Sequence, residues 1–268
     1  MPAILYGTAW KKERTAELVE QAVTLGFRGI DTACQPKHYD EPGVGRGLTA
    51  CLERGLLRSE VYLQSKFTPV SGQDPRRVPY DVRANLEQQV RESFQASLRN
   101  LGTDYLDGLI LHSPISPFER TLEVWRVFEG LVDEQRVASI GISNCYELGF
   151  LEALWNAARV KPAIVQNRFY AKTRFDREIR AYCRARGMRY QSFWTLTANP
   201  QLLEHPALVR IAEERSLTPA QVLLRCLIQV GITPLSGTTS ERHMVDDLAI
   251  LGIALSEREV ADVVALFG

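Results

Sequence analysis

The chain has 268 residues, a length that one large α/β domain or two smaller ones would fill. Its 32 Lys and Arg balance 32 Asp and Glu, so it carries no formal net charge, which argues against a protein that tracks nucleic-acid phosphates. A composition of 45% hydrophobic and 24% charged residues is too apolar for disorder and too interrupted for a membrane span.

In chain order, short apolar, β-branched runs at 3–6, 27–30, 61–65, 107–111, 138–142, 163–166, 189–193 and 232–235 predict eight strands. Between them, apolar residues recur at spacings of three and four, as in Leu18, Ala22, Val23 and Leu25, or Val124, Val127, Phe128 and Leu131, and predict helices. Thr218-Pro219 opens another helix with a capping hydroxyl and a proline at the first helical position, and its apolar face continues through Val222, Leu223, Cys226 and Leu227. Strands alternating with helices imply parallel pairing through crossovers, and eight such units close into a (β/α)₈ TIM barrel. No Pro/Gly/Ser-rich linker divides the chain, so a single barrel domain over 1–268 is expected over two doubly wound domains.

The five cysteines, Cys34, Cys51, Cys145, Cys183 and Cys226, are scattered and include no Cys-x-x-Cys pair, so neither a disulfide framework nor a zinc knuckle is expected. The four histidines, His38, His112, His205 and His243, form no ligand pair on a helical face, and no metal is expected. Residues 1–7 lack the basic start and long apolar centre of a signal peptide. A reduced, cytoplasmic, monomeric protein is the expectation, with no nucleic acid or membrane as partner.

Polar and aromatic residues follow each strand: Gly7-Thr8-Ala9-Trp10, Asp31-Thr32-Ala33, Lys66-Phe67, His112-Ser113, Ser143-Asn144, Asn167-Arg168, Trp194-Thr195 and Ser236-Gly237-Thr238-Thr239. In a barrel all C-terminal strand ends meet on one rim, so these distant residues converge into one site. There the Lys66 ammonium needs a counter-ion, which Asp31 can supply. A phenol with a pKa near 10 is a weak proton donor unless a positive charge favours its phenolate, and Lys66 would supply that charge to Tyr39. A neutral His112 can hydrogen-bond a substrate carbonyl. Asp31, Tyr39, Lys66 and His112 thus compose a set suited to carbonyl reduction. The competing readings are a structural ion pair for Asp31 and Lys66, and a barrel hydrolase with Asp31 and Glu41 as its carboxylates.

Gly43-Val44-Gly45-Arg46-Gly47 fails the Gly-x-Gly-x-x-Gly spacing and follows a loop instead of a strand. Glycines opening a helix are expected there, not a Rossmann fingerprint. Cys34 and Cys145 follow rim motifs and read either as oxidation-sensitive thiols or as the small apolar fillers that free cysteines usually are.

Gly26-Phe27-Arg28-Gly29-Ile30-Asp31-Thr32-Ala33, Tyr105-Leu106-Asp107 leading to Leu111-His112-Ser113-Pro114, Ile140-Gly141-Ile142-Ser143-Asn144, Val165-Gln166-Asn167 and 218–225 occur in one order along almost the whole chain. In that order they resemble the aldo-keto reductase family, NAD(P)H-dependent (β/α)₈ oxidoreductases that reduce aldehydes and ketones to alcohols. The resemblance implies a catalytic tetrad of Asp31, Tyr39, Lys66 and His112, with Tyr39 as general acid and a small carbonyl compound as substrate. It also implies that Ser143, Asn144 and Gln166 hold the nicotinamide carboxamide and that Phe193 stacks on the ring, where the family commonly has tyrosine. Ser236, Gly237, Thr238, Thr239 and Arg242 match the pyrophosphate and adenosine-phosphate region, and Asp246 stands where an adenine-binding asparagine is frequent.

Four departures qualify this match. Three extra residues separate Asp31 from Tyr39. A common phosphate-binding lysine is missing near Ser236. Ser113 stands where a tryptophan often follows the catalytic histidine. The long C-terminal loop of many relatives has no counterpart before Gly268. An open pocket lined by Trp10, Phe67, Ser113 and Trp194 is expected, with NADPH as cofactor through Arg242 and NADH as the alternative. A regulatory or sensor subunit that binds NADP(H) with vestigial catalysis is the second functional reading.

Overall fold

The computed structural model describes residues 1–268. Its elements run β1 (Leu5–Gly7), α1 (Thr15–Leu25), β2 (Gly29–Asp31), α2 (Glu41–Glu53), β3 (Tyr62–Phe67), α3 (Leu86–Leu101), β4 (Gly108–Leu111), α4 (Phe118–Asp133), β5 (Ile140–Ser143), α5 (Leu148–Ala157), β6 (Ile164–Arg168), α6 (Arg177–Ala185), β7 (Arg189–Phe193), α7 (Pro200–Leu203), α8 (Pro206–Arg215), α9 (Pro219–Gln229), β8 (Ile232–Ser236), α10 (Glu241–Ala249) and α11 (Glu257–Val264). The eight strands pair in sequence order into a closed barrel, and the parallel pairing of Leu5 with Leu235 closes the ring between β1 and β8.

Every predicted strand is present, and most end one or two residues later than the apolar runs suggested. Pairing is the reason: Lys66 and Phe67 lie opposite Ile110 and Leu111, which extends β3 past its apolar stretch. The helix faces also match, with Leu18, Ala22 and Val23, then Val124, Val127, Phe128 and Leu131, then Val222, Leu223, Cys226 and Leu227 all buried. The start of α9 carries a reciprocal cap. Thr218 Oγ1 accepts from Gln221 N at 3.2 Å while Gln221 Oε1 accepts from Thr218 N at 2.9 Å, which satisfies two otherwise unpaired donors.

The glycines of 43–47 lie inside α2, as a helix-opening run should. Asp40 caps this helix by accepting from Gly43 N at 3.0 Å. A Cβ at Gly45 would collide with the Asn100 carbonyl oxygen at the end of α3, and one at Gly47 with the Ala16 carbonyl oxygen of α1. These two glycines let α2 lie close to both neighbouring helices, which brings the loop carrying Tyr39 onto the barrel rim. No helix is long and apolar enough to cross a membrane.

Candidate active site

Asp31 ends β2 and Lys66 is the penultimate residue of β3, so both project at the C-terminal rim. Lys66 Nζ donates to both Asp31 carboxylate oxygens at 2.7 Å and to the Thr32 carbonyl at 2.8 Å. Lys66 is only 1% exposed, and burial pulls its ammonium below the ordinary lysine value while Asp31 opposes that shift. The Tyr39 ring lies over this ammonium, its centroid 5.2 Å from Nζ. His112, the residue after β4, meets Tyr39 edge to face with ring centroids 6.0 Å apart. The four predicted catalytic residues therefore converge, although three extra loop residues precede Tyr39.

The electrostatics keep two of these groups neutral. Burial first, then the positive charge of Lys66 and of His38, holds His112 well below the usual histidine range. Burial, with the Asp31 carboxylate adding to it, pushes the Tyr39 phenol upward. The resting site thus differs from the sequence expectation that the Lys66 charge would favour the phenolate, since burial and Asp31 both act the other way. Asp31 offsets the lysine charge, so Tyr39 stays protonated.

Beneath Asp31 lies a polar layer that sequence reasoning largely missed. Asp31 Oδ1 accepts from Gln64 Nε2 at 2.6 Å and Gln166 Nε2 at 2.9 Å. Gln191 Oε1 accepts from the same two amides at 2.8 Å each, and Gln191 Nε2 donates back to Gln64 Oε1 at 2.9 Å. The registers Asp31↔Gln64 and Gln166↔Gln191 set these side chains at matching heights. The available signal was the period of two in β3, which puts Gln64 on the same inward face as Lys66.

Glu41, the other acidic residue considered for a hydrolase, is buried between α2, β3 and α3. It accepts from Ser65 Oγ, Ser97 Oγ at 2.9 Å and Asn100 Nδ2 at 3.3 Å. Its hydrogen bonds lead away from Asp31, so the two do not form an acid/base pair across a substrate site.

At the positions matched to the carboxamide, Ser143 Oγ donates to the Gln166 carbonyl at 2.7 Å. Asn144 Nδ2 donates to the His112 carbonyl at 2.8 Å, and Asn144 Oδ1 accepts from Tyr146 at 3.1 Å. Gln166 commits Nε2 to the layer below, so its carbonyl oxygen is the part of that amide left for a carboxamide N–H. Phe193 is half-buried opposite Arg168.

The rim aromatics fall into two groups. Trp10 and Trp194 are 56% and 47% exposed, and both hold left-handed backbone, φ 64° and 55°. That conformation is strained for a bulky side chain. Trp10 stacks on His38 at 4.0 Å between centroids, and Trp194 lies under the Arg168 guanidinium at 4.2 Å. Phe67 is a correction to the expected lining: it is buried in the core against Tyr80, because β3 continues through it and strand alternation turns it to the face opposite Lys66. Ser113 is half-buried beside His112. A cavity of about 660 Å³ opens on the Tyr39 loop, lined among others by Trp10, Lys37, His38, Tyr39 and Arg77.

The segment after β8 has the donors a phosphate needs. Ser240 caps α10, Gly237 has open space where a Cβ would stand, and Arg242 is 85% exposed with only a 3.9 Å contact to Asp246. Lys11, which the sequence reading passed over, is buried here. Its ammonium reaches the Gly237 carbonyl and, at 3.3 Å, that of Thr238, and burial, with Arg14 adding, lowers it to about 8. A buried cation with no carboxylate partner, beside a helix N-terminus, fits an anionic ligand. Ser236, matched to this region by resemblance, donates its hydroxyl to buried Asp247 at 2.6 Å and so ties α10 to β8.

Cys34 and Cys145 are buried free thiols. Burial pushes Cys145 up to about 12 and Cys34 higher still, which favours inert packing over redox sensitivity.

Residues 4–267 match the model of the aldo/keto reductase family. The uncharacterized oxidoreductase YtbE of Bacillus subtilis is 30% identical, over 92% of this chain and 82% of its own length. Glyoxal reductase of the same organism is also 30% identical, over 93% and 82%. An aldo/keto reductase crystal structure from Brucella melitensis superposes with a TM-score of 0.82 at 26% identity, covering 99% of this chain and 95% of that one.

Proposed function

The chain belongs to the aldo-keto reductase family, and from that premise we propose that it is an NADPH-preferring reductase of aldehydes and reactive ketones. The observation that carries this reading is the buried Lys66–Asp31 pair under the Tyr39 ring, with a neutral His112 against the ring's edge. Bound reduced nicotinamide would supply the hydride. Tyr39 donates its proton to the carbonyl oxygen, and Lys66 stabilises the phenolate left behind. Asp31 holds Lys66 beneath the ring, so the charge is in place before the reaction begins. His112 offers the ring nitrogen that faces away from its protein partner to the same carbonyl oxygen.

Gln166 and Asn144 would orient the carboxamide, and the Phe193 ring would stack on the nicotinamide, a task that needs no hydroxyl. Lys11 and the start of α10 would hold the pyrophosphate, and Arg242 would pair with a 2′-phosphate. The glyoxal reductase relative supports small, reactive carbonyls as substrates.

The test is an absorbance assay with NADPH and a panel of aromatic and aliphatic aldehydes. Tyr39→Phe should keep NADPH affinity and lose about 10²- to 10⁴-fold in turnover, the usual contribution of a positioned general acid. An active Tyr39→Phe protein would refute Tyr39 as the donor. Tight NADPH binding by the wild type with no turnover on any carbonyl would turn the assignment to a sensor subunit.

A further inference from the structure

Thr68 follows β3 directly and is buried, and its Oγ1 lies 2.7 Å from His112 Nδ1. Both partners are held from the backbone side. The Thr68 carbonyl accepts from Tyr80 OH at 2.8 Å and Gln73 Nε2 at 3.2 Å. His112 donates its backbone N–H to the Phe67 carbonyl at 2.9 Å, and its own carbonyl accepts from Asn144 at 2.8 Å. The imidazole and hydroxyl therefore face one another in a fixed geometry.

A neutral imidazole carries one proton, on Nδ1 or on Nε2, and the hydrogen bond at one nitrogen decides which. If Thr68 donates to Nδ1, the ring proton sits on Nε2, which then donates to a carbonyl oxygen. If Nδ1 donates to Thr68, the hydroxyl proton is left in a buried site where His112 is its side-chain partner, and a buried donor without an acceptor is costly. Nε2 would then present a lone pair to the substrate oxygen and repel it. We propose that Thr68 is a positioning residue that fixes His112 in the Nε2–H tautomer and so makes it a hydrogen-bond donor to the substrate carbonyl. This assignment rests on the carbonyl-reductase reading for its consequence and on the Thr68–His112 geometry for its cause.

The experiment combines two readouts on wild type, Thr68→Val and Thr68→Ser. Two-bond ¹H–¹⁵N correlation spectra of histidine-labelled protein report the tautomer, with the His112 signals identified by their loss in His112→Gln. Wild type and Thr68→Ser should show a protonated Nε2 and an acceptor Nδ1, and Thr68→Val a mixture of tautomers. In parallel, kcat for an aldehyde should fall about tenfold or more in Thr68→Val and recover in Thr68→Ser, with NADPH affinity unchanged in both. A protonated Nδ1 in wild type overturns the proposal without any variant, and so does a wild-type spectrum or wild-type kcat in Thr68→Val. Wild type that reduces no carbonyl while its tautomer follows Thr68 as stated would remove the reductase reading and leave the tautomer assignment standing.

Discussion

Replacing Lys66 by Met removes a cation from a place where an anion cannot be left alone. Asp31 is buried and takes three donors on one oxygen, Lys66 at 2.7 Å, Gln64 at 2.6 Å and Gln166 at 2.9 Å. Breaking a buried ion pair from one side costs about 3–5 kcal/mol. The two glutamine amides remain, which places this case near the lower end, about 3 kcal/mol. With about 2.1 cal/mol/K of unfolding entropy per residue, 268 residues give about 0.56 kcal/mol/K, so Tm should fall by about 5 °C. The double variant Asp31→Asn/Lys66→Met removes the unpaired charge as well and lets an amide turn to the Thr32 carbonyl that Lys66 vacates. It should recover to within about 2 °C of wild type, since a buried pair replaced on both sides is often neutral. Calorimetry or thermal circular dichroism on the four proteins of the cycle measures the coupling. A double variant no more stable than Lys66→Met would refute the reasoning that the uncompensated Asp31 charge is the source of the loss, and all variants lacking Lys66 should be poor catalysts regardless of Tm.

Arg242→Ala should raise the Kd for NADPH about tenfold and leave NADH unchanged, because one exposed charge-assisted contact to a 2′-phosphate is worth about 1.4 kcal/mol; equal effects on both cofactors would remove Arg242 from the phosphate site. The Lys11 ammonium titrates near 8 in the free protein, so it is charged below that pH and neutral above it. A bound anion favours the charged form, hence NADPH affinity should weaken as pH rises from about 8 toward the ordinary lysine value of about 10.4, and Lys11→Met should bind more weakly without that slope; a flat wild-type titration from pH 7 to 10 would contradict the role. Gly45→Ala forces a methyl group against the Asn100 carbonyl and should destabilise by about 1–3 kcal/mol, measured by urea denaturation, whereas the open Gly149→Ala should not.

The chain's periodicities were enough to establish its architecture. Eight apolar runs separated by helical faces, with no linker to divide them, favour one barrel over two doubly wound domains. Barrel closure brings strand ends together, so Asp31, Lys66 and His112 were legible as neighbours before any coordinates. Tyr39 was legible only through its chemistry and the family resemblance, because the three additional loop residues blur its spacing. Phe67 was not legible in the same way. A large apolar residue at a strand end suits a pocket wall or the core equally well, and only the extension of β3 through Phe67 turns it to the face opposite Lys66, against Tyr80.

What the one-dimensional pattern determined was the order of elements, their inward faces and the residue types delivered to the rim. The tertiary structure alone decided which polar groups answer one another: Gln64 and Gln191 under Asp31, Thr68 on His112, Lys11 on the carbonyls after β8, Asp247 on Ser236. These contacts join residues 11 to 227 positions apart. The physical reason lies in range. Hydrophobic burial is non-directional and repeats along a helix or strand, so it leaves a periodic trace in the chain. A hydrogen bond forms only when donor and acceptor stand within a few tenths of an ångström of a separation of about 2.9 Å, and that meeting is set by how the barrel closes.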